Sequence, residues 1–250
     1  MELIQSANKS NAKFYDIAYS LVKGEDVTSQ EIKLIESLIK DKDSRILDVG
    51  AGTGRHLFPL INSGYKVDAI EESIEMINEI KRKTNKFNDI KVFNWSFLEK
   101  NNQVKEKYDL IVLMWNAIFE IAHIKYELTE LFKKLKSLLA VGGKILINID
   151  DLRNIDPAMT GHVLIKEENG KKYEMNWKVL NYNQETKLLE SLESFSVVDL
   201  KTQKVLQTSK GSIYQTWWGL DDIQEEADEI GLSISVRSIS LNEELYLVLR

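Results

Sequence analysis

The stretch ILDVGAGTG at residues 46–54 combines a short apolar run, one carboxylate and three glycines at alternate positions. Glycines at this spacing let the main chain approach a ligand closely, because a Cβ would collide with it. A dinucleotide-binding loop reads G-x-G-x-x-G, but Arg55 stands where its third glycine is required. A phosphate-binding P-loop needs a Lys followed by Ser or Thr, and neither pair follows here. The spacing therefore argues against both kinds of phosphate loop.

Further residues with binding chemistry follow the glycines in order. Glu71 comes about 20 residues after Gly50, at the end of KVDAIE, where a carboxylate can accept bonds from both ribose hydroxyls. The segments ESIEMI, FNWSFLE, YDLIVLMWNAIFE and LKSLLAVGGKILIN come next. This ordered set resembles the class I S-adenosylmethionine-dependent methyltransferases, whose first motif reads [VIL]-L-D-x-G-x-G-x-G. The resemblance covers roughly residues 45–150.

The resemblance implies S-adenosyl-L-methionine as cofactor and S-adenosyl-L-homocysteine as product. It assigns the glycines to the methionine part, Asp48 to the neighbourhood of the cofactor ammonium, and Glu71 to the ribose. The cofactor-binding residues that it implies are Tyr15, Lys23, Asp48, Gly50, Ala51, Gly52, Gly54, Glu71, Glu72, Trp95, Ser96, Phe97 and Met114. Asp48 could instead cap a turn, and Glu71 could be a helix N-terminal charge. Ser96 replaces the usual Asp, which weakens the expected adenine contact.

The layout of the whole chain resembles small-molecule N-methyltransferases, especially those that act on nucleotide-linked aminosugars. The shared features are FYDIAY near the N-terminus, GTGRHL after the glycines, an antiparallel insert after the fifth strand, and a final helix, strand and strand. In that group an N-terminal tyrosine covers the active site, a basic residue meets the cofactor carboxylate, and a histidine lies near the substrate amine. The matching positions are Tyr15, Lys23 and Glu120, with His123 three residues further on.

The resemblance thus implies the catalytic residues Glu120, Tyr15 and His123 and the substrate residues Trp115, Asn116, Trp177 and Trp217. Each has a plainer alternative. Glu120 could be a solvated carboxylate at a helix start, His123 a helix-surface or packing residue, and Tyr15 a core aromatic. The aromatic residues Trp177, Tyr182, Trp217 and Trp218 are large for strands that only face solvent, so they could enclose a substrate or pack the insert onto the main domain.

Some acceptor chemistries are disfavoured by the sequence. No [DN]-P-P-[YW] follows the fourth strand, so adenine N6 and glutamine-amide methylation are not expected. The chain has no Cys, which excludes covalent attack of the 5-methylcytosine type. A metal-dependent site would need clustered carboxylates, but loop capping explains Asp150, Asp151 and Asp156 better, so no metal is predicted.

The predicted function is transfer of a methyl group from S-adenosylmethionine to a small molecule, with an amine as the expected acceptor. Three alternatives stay open: a cofactor-binding module without catalysis, an O-methyltransferase, and an RNA or protein methyltransferase. The identity of the acceptor and the number of methyl groups added are not determined by the sequence.

The composition is that of a globular protein: of 250 residues, 43% are hydrophobic and 29% charged. The net charge of −6 and the pI near 5.3 argue against a nucleic-acid partner. We find no secretory signal pattern and no apolar run of about 18 residues, so a cytoplasmic protein without membrane contact is expected. A homodimer formed through the insert is left open.

Apolar strands alternate with amphipathic helices up to about residue 150, which predicts an α/β fold with a Rossmann-like, doubly wound sheet. A capping box of Thr28 and Glu31 is expected to start one helix. Gly142 and Gly143 are expected to end another, and a third should be capped near Asp221.

From residue 157 to 217 the pattern changes to extended segments, separated by Asn169-Gly170, NQET, KTQK and SKG. Asn-Gly between such runs is a strong hairpin signal. The sequence predicts an inserted antiparallel β-meander that covers the substrate. The predicted domains are 1–156 with 218–250 for cofactor binding, and 157–217 for the lid.

Overall fold

The computed structural model describes residues 6, 10–24, 26–84, 90–99, 104–150, 160–237 and 244–250. A 3-10 turn (Ala12–Phe14) precedes α1 (Tyr15–Lys23) and α2 (Val27–Leu38). Next come β1 (Arg45–Val49), α3 (Leu57–Asn62), β2 (Lys66–Glu71), α4 (Ile74–Lys83), β3 (Lys91–Asn94), β4 (Tyr108–Leu113), α5 (Ala117–Ile121), α6 (Lys125–Leu138) and β5 (Leu139–Asp150). The remaining elements are β6 (Gly161–Glu168), β7 (Lys171–Asn183), β8 (Leu188–Asp199), β9 (Val205–Thr216), α7 (Leu220–Glu229), β10 (Ile234–Arg237) and β11 (Glu244–Leu249).

The main sheet has seven strands in the order β10-β11-β5-β4-β1-β2-β3. The five strands from β5 to β3 in this order are parallel, whereas β11 runs antiparallel to β5 and β10 antiparallel to β11. Such a sheet, with helices on both faces, is the predicted doubly wound α/β fold, and the prediction is confirmed. Within the described residues, none of the helices combines the length and apolar character that a membrane crossing requires.

Both faces of the main sheet are covered. Successive side chains of a strand point to opposite faces. Leu47 and Ile111 accordingly belong to a core cluster with Phe132 of α6, while Ile46 and its neighbours pack with Ile35 of α2. The apolar runs of β1, β4 and β5 are buried for this reason.

The insert forms a separate four-stranded antiparallel sheet in the order β6-β7-β8-β9. Asn169 and Gly170 form the first hairpin turn with φ of 51° and 74°, both in the left-handed region that this turn requires. The predicted break at SKG is wrong, because residues 209–211 pair with β8 inside a continuous β9. The limits of the two predicted domains stay a prediction.

Two predicted helix ends are also wrong. α2 begins after Asp26, and the Thr28 hydroxyl accepts a bond from Arg55 Nη1 at 3.2 Å instead of capping. α6 ends at Leu138, so Gly142 and Gly143 lie within β5. The start of α7 is capped near Asp221, as predicted: its N-cap is Gly219, whose N–H donates to Asp222 Oδ2 at 2.7 Å.

Glu31 does not form the predicted capping box and is instead buried between several elements of the structure. Its side chain is 1% exposed and accepts hydrogen bonds from Tyr19 Oη at 3.1 Å, Tyr246 Oη at 3.2 Å and His56 Nε2 at 3.0 Å, and from Arg55 Nη1. Burial opposes its charge, but the bonds from His56 and Arg55 outweigh burial and lower the pKa of Glu31 to about 2. This carboxylate therefore joins α1, α2, the segment after the glycines, and β11.

We expect Glu31→Ala to lower the free energy of unfolding by about 3 kcal/mol, because the substitution leaves buried donors and the Arg55 charge without their partner. The control is Glu36→Ala on the same helix, which removes an exposed pair with Lys42 and should cost less than about 1 kcal/mol. Urea unfolding of both variants measures the difference. Equal, small losses would contradict the central role of Glu31.

Candidate functional site

The glycine loop lies where three parallel strands end. β1 is paired in register with β2 and β4, so their carboxyl ends meet at one edge of the sheet. The N–H groups of Gly50 and Ala51 both donate to the carbonyl of Ile70, at 2.9 and 3.1 Å. Gly50 and Gly52 have φ of 76° and 56°, conformations that favour glycine. In open α/β sheets this edge is where ligands bind.

Glu71 holds the glycine loop against the start of α4. Its Oε2 accepts the N–H of Gly52 at 2.7 Å, and its Oε1 accepts the N–H of Ser73 at 2.8 Å. Burial raises the pKa of Glu71 to about 7, although these two backbone bonds act in the opposite direction. Glu71 therefore bonds to the start of a helix, as the alternative interpretation expects. The same side chain also lines a cavity, as a ribose-binding carboxylate should.

That cavity, which we call the cofactor cavity, has a volume of about 330 Å³. Of the residues predicted from the sequence, it is lined by Tyr15, Gly50, Gly52, Glu71, Glu72, Trp95, Ser96, Phe97, Met114, Trp115, Glu120 and His123. It is also lined by residues that the prediction missed, namely Val49, Ile70, Met76, Leu98, Ala117, Ile121 and Glu127. Residues from many parts of the chain therefore share one surface.

Four of the predicted cofactor residues are not among those that line the cofactor cavity. Asp48 is 1% exposed, and its Oδ2 has no partner among the described residues; burial raises its pKa to about 7. Ala51 packs in a core cluster, and a Cβ on Gly54 would come within 2.7 Å of the Phe58 ring. These residues shape the loop from behind.

The fourth, Lys23, does not support its predicted contact with the cofactor carboxylate. Its ammonium lies 3.3 Å from Asp150 Oδ1 and also pairs with Glu244. Lys23 is not among the residues that line the cofactor cavity. The ion pair with Asp150, at the end of β5, explains why Lys23 lies away from the predicted position. Of the carboxylates considered for a metal, Asp151 and Asp156 lie outside the described residues.

The aromatic end of the cofactor cavity contains Trp95 and Phe97, whose ring centroids are 5.7 Å apart. Trp95 is 3% exposed, and its Nε1 has no partner among the described residues. The ammonium of Lys134 lies 3.8 Å from the centre of the Trp95 ring and donates to the carbonyls of Phe97 and Glu99. Lys134 thus supports this end from α6, a contact that no sequence motif indicates.

Tyr15 lies over the glycine loop. A Cβ on Gly52 would come within 3.2 Å of its ring. The ring centroid is 4.8 Å from that of Trp115, which in turn lies 4.5 Å from Tyr19. Burial raises the pKa of Tyr15, so its hydroxyl is uncharged at neutral pH. The N-terminal helix therefore closes one side of the cavity.

The turn after β4 is held by the end of β5. Trp115 and Asn116 have φ of 49° and 58°, which is uncommon for residues other than glycine. The N–H of Trp115 donates to Asn148 Oδ1 at 2.9 Å, and Asn116 exchanges two bonds with Asp150 at 2.7 and 2.9 Å. These side chains fix a strained turn at the wall of the site.

Glu120 and His123 follow on and after α5. Glu120 Oε1 accepts a bond from Gln215 Nε2 at 3.1 Å, which links α5 to the insert. The main chain of His123 is held by Glu127 and Thr216, and its buried Nδ1 has no partner among the described residues. Both residues are half-buried.

A second cavity, which we call the inner chamber, has a volume of about 190 Å³ and shares Tyr15, Trp115 and Glu120 with the first. Trp177 and Trp217 of the insert line it, as does Asn116. Trp218 instead lies in the main core and donates to the carbonyl of Ala122 at 2.8 Å. The site thus has two compartments that share a wall formed by Tyr15, Trp115 and Glu120.

The residues of the cofactor cavity fit S-adenosylmethionine. Its volume lies within the range of about 300–1,000 Å³ that is usual for small-molecule sites. A glycine loop without Cβ groups, a carboxylate at the end of β2 and two aromatic rings line one continuous surface. Trp95 Nε1 adds a buried donor without a partner among the described residues.

The comparisons with known proteins agree with this geometry. Residues 10–199 match the family described as tellurite resistance protein TehB. The glycine/sarcosine N-methyltransferase of Aphanothece halophytica is 24% identical over 106 residues, which are 41% of this chain and 40% of that protein. The chain therefore spans about two fifths of the length of that curated relative.

Two solved structures are similar to nearly the whole chain. Streptomyces venezuelae DesVI superposes with a TM-score of 0.79 at 16% identity, covering 96% of this chain and 97% of that one. CalS10, described as an amino pentose methyltransferase from Micromonospora echinaspora and solved with S-adenosylmethionine bound, has a TM-score of 0.72 at 16% identity, covering 94% and 96%. The chain thus belongs to the TehB family and has the fold of the class I S-adenosylmethionine-dependent methyltransferases.

Proposed function

We propose that this protein transfers the methyl group of S-adenosylmethionine to a small-molecule acceptor, and that the acceptor is an amine. The observation that carries the proposal is the clamp of Glu71 on Gly52, which sets a carboxylate and an open glycine loop on one cavity wall. The inner chamber, with Glu120 on the shared wall, supports an acceptor beside that cavity. The fold of an amino pentose methyltransferase supports the same reading.

The cofactor-binding roles follow from position along the cavity. Glu71 would accept bonds from the ribose hydroxyls, and Ser96 with the rings of Trp95 and Phe97 would hold the adenine. Met114 would lie beside the homocysteine part, and the glycine loop would contact the methionine part. When bound, the cofactor supplies a methyl carbon on a sulfonium, from which sulfur departs with the electron pair. At position 96 this chain has Ser where the family usually has Asp, so the contact with the adenine would be made by a hydroxyl or by main chain.

The acceptor nitrogen needs a free electron pair to form its bond to the methyl carbon. An amine bound as an ammonium must first lose one proton, and Glu120 is the carboxylate on the wall between the two compartments. The uncharged hydroxyl of Tyr15 would orient the nitrogen but not remove its proton. His123, whose buried Nδ1 has no partner among the described residues, is the second candidate for the proton.

The insert would act as the substrate lid, as the predicted limits of 157–217 imply. Trp177 and Trp217 line the inner chamber from the insert, and Gln215 contacts Glu120. An O-methyltransferase, an RNA or protein methyltransferase, and a binding module without catalysis remain the alternatives. A homodimer remains a prediction.

The cofactor is tested by thermal unfolding with S-adenosylmethionine, S-adenosylhomocysteine and NAD added separately. A ligand at 100 times its dissociation constant should stabilise the protein by about 2.7 kcal/mol. We expect a rise in Tm with the two adenosyl ligands and none with NAD. If neither adenosyl ligand raised Tm, the proposed function would be wrong.

Cofactor binding should also depend on pH through Glu71, whose pKa is raised to about 7. As the pH rises through 7, Glu71 loses its proton, and the unliganded protein loses the stability that the protonated side chain contributed. The charged carboxylate that would bind the ribose hydroxyls then becomes available. We therefore expect the affinity for S-adenosylhomocysteine, measured by calorimetry, to increase between about pH 5.5 and pH 8.

Glu71→Gln should lower the affinity at pH 8 by about 10-fold or more and flatten this profile. Asp48 titrates in the same range with the same sign, so Asp48→Asn separates the two contributions. A wild-type affinity that did not change with pH would contradict the assignment.

Glu120→Gln should reduce turnover of an amine acceptor by about 100-fold at saturating substrate, because the carboxylate no longer takes the proton. The matched control is Glu130→Gln on α6, which removes only an exposed pair with Lys133. Full turnover by Glu120→Gln would remove Glu120 from the reaction and direct attention to His123.

A further inference from the structure

The wall of the inner chamber that the insert provides is the inward face of its sheet. Trp177 of β7 is paired directly with His162 of β6 and with Glu193 of β8. On its other side Glu193 is paired with Gly211 of β9. Directly paired residues of antiparallel strands present their side chains to the same face. Glu193 therefore lies beside the Trp177 indole, with a position free of side-chain atoms on its other side.

Glu193 is a carboxylate for which the described residues supply no cationic partner. Its Oε1 accepts a bond from the neutral amide of Asn11 at 2.8 Å. Among the described residues that line the inner chamber, none is Lys or Arg. Burial lowers the pKa of His162, which is therefore uncharged at neutral pH. A buried carboxylate is costly unless it is paired with a cation.

The charges around Glu193 favour a cation as its partner. Glu120 also lines the inner chamber and adds a second negative charge that acts on Glu193, whereas the charge of Asp150 is paired with Lys23. Burial raises the pKa of Glu193 to about 7, as expected for an anion that lacks a counter-ion.

Aromatic rings complete the chamber. The rings of Tyr15 and Trp115 meet at its boundary with the cofactor cavity, and those of Trp177 and Trp217 line it from the insert. Aromatic faces around a carboxylate attract the alkyl groups of an ammonium ion, whose charge is spread over them. A neutral hydroxyl compound would gain much less from the same walls.

We propose that the inner chamber binds the alkylammonium group of the acceptor, with Glu193 as its counter-ion and Trp115 and Trp177 against its alkyl groups. This inference rests on the proposed function and narrows the acceptor to a cationic alkylamine. Glu193 holds the cation, whereas Glu120 stands at the wall shared with the cofactor cavity and takes the proton that the ammonium loses.

The test uses a cation and a neutral compound of the same shape: choline and 3,3-dimethylbutan-1-ol. Their binding to the full chain, with S-adenosylhomocysteine present, is measured by calorimetry. We expect choline to bind at least about 10-fold more tightly than the neutral compound. Glu193→Gln should reduce choline affinity by about 10-fold or more and leave the neutral compound unaffected.

The matched control is Glu190→Gln, a carboxylate on the same strand that accepts a bond from the half-exposed Tyr214 at 3.0 Å. It should leave both affinities unchanged. Thermal unfolding of each variant with S-adenosylhomocysteine verifies that the cofactor cavity is intact.

Equal binding of the two compounds, no binding of choline, or an unchanged choline affinity in Glu193→Gln would overturn this inference. In each of these cases, stabilisation by S-adenosylhomocysteine would leave the proposed function standing. Loss of that stabilisation in the wild-type protein would instead show that the proposed function itself is wrong.

Discussion

The buried carboxylate of Glu31 is the interaction on which the site depends. A charge with 1% exposure needs several donors, and Glu31 takes them from Tyr19 of α1, Arg55 and His56 after the glycines, and Tyr246 of β11. Because Tyr19 lies one turn after Tyr15, this bond also sets where α1 crosses the glycine loop. Asp16 and Lys23 of the same helix add further polar contacts, since Asp16 accepts a bond from Thr53 Oγ1 at 2.6 Å and Lys23 pairs with Asp150 and Glu244.

Glu71 plays the corresponding part within the sheet. Its two oxygens hold Gly52 and Ser73, so the conformation of the loop and the start of α4 are fixed by one side chain. The cofactor cavity and the inner chamber then share their walls at Tyr15, Trp115 and Glu120. A molecule bound in one compartment therefore lies next to a molecule bound in the other. Transfer of a group between two bound molecules needs this proximity.

The sequence predicted those features that depend on local spacing or on an ordered motif. The strands of the main sheet, the Asn169-Gly170 turn and the placement of Glu71 are of this kind. Lys23 was misplaced because its partners, Asp150 and Glu244, come from strands more than a hundred residues away. Glu193 could not be found at all, since its surroundings depend on the pairing register of four strands. Lys134 was missed for the same reason: its contact with Trp95 is purely tertiary.

If the edge of the sheet at Gly52 and Glu71 holds the cofactor with its sulfur turned toward the inner chamber, a crystal structure of the protein with S-adenosylhomocysteine will show it directly. We expect both ribose hydroxyls within hydrogen-bonding distance of Glu71, adenine against Trp95 or Phe97, and the sulfur facing Tyr15 and Glu120. Adenosine bound away from Glu71, or sulfur turned away from the inner chamber, would contradict it.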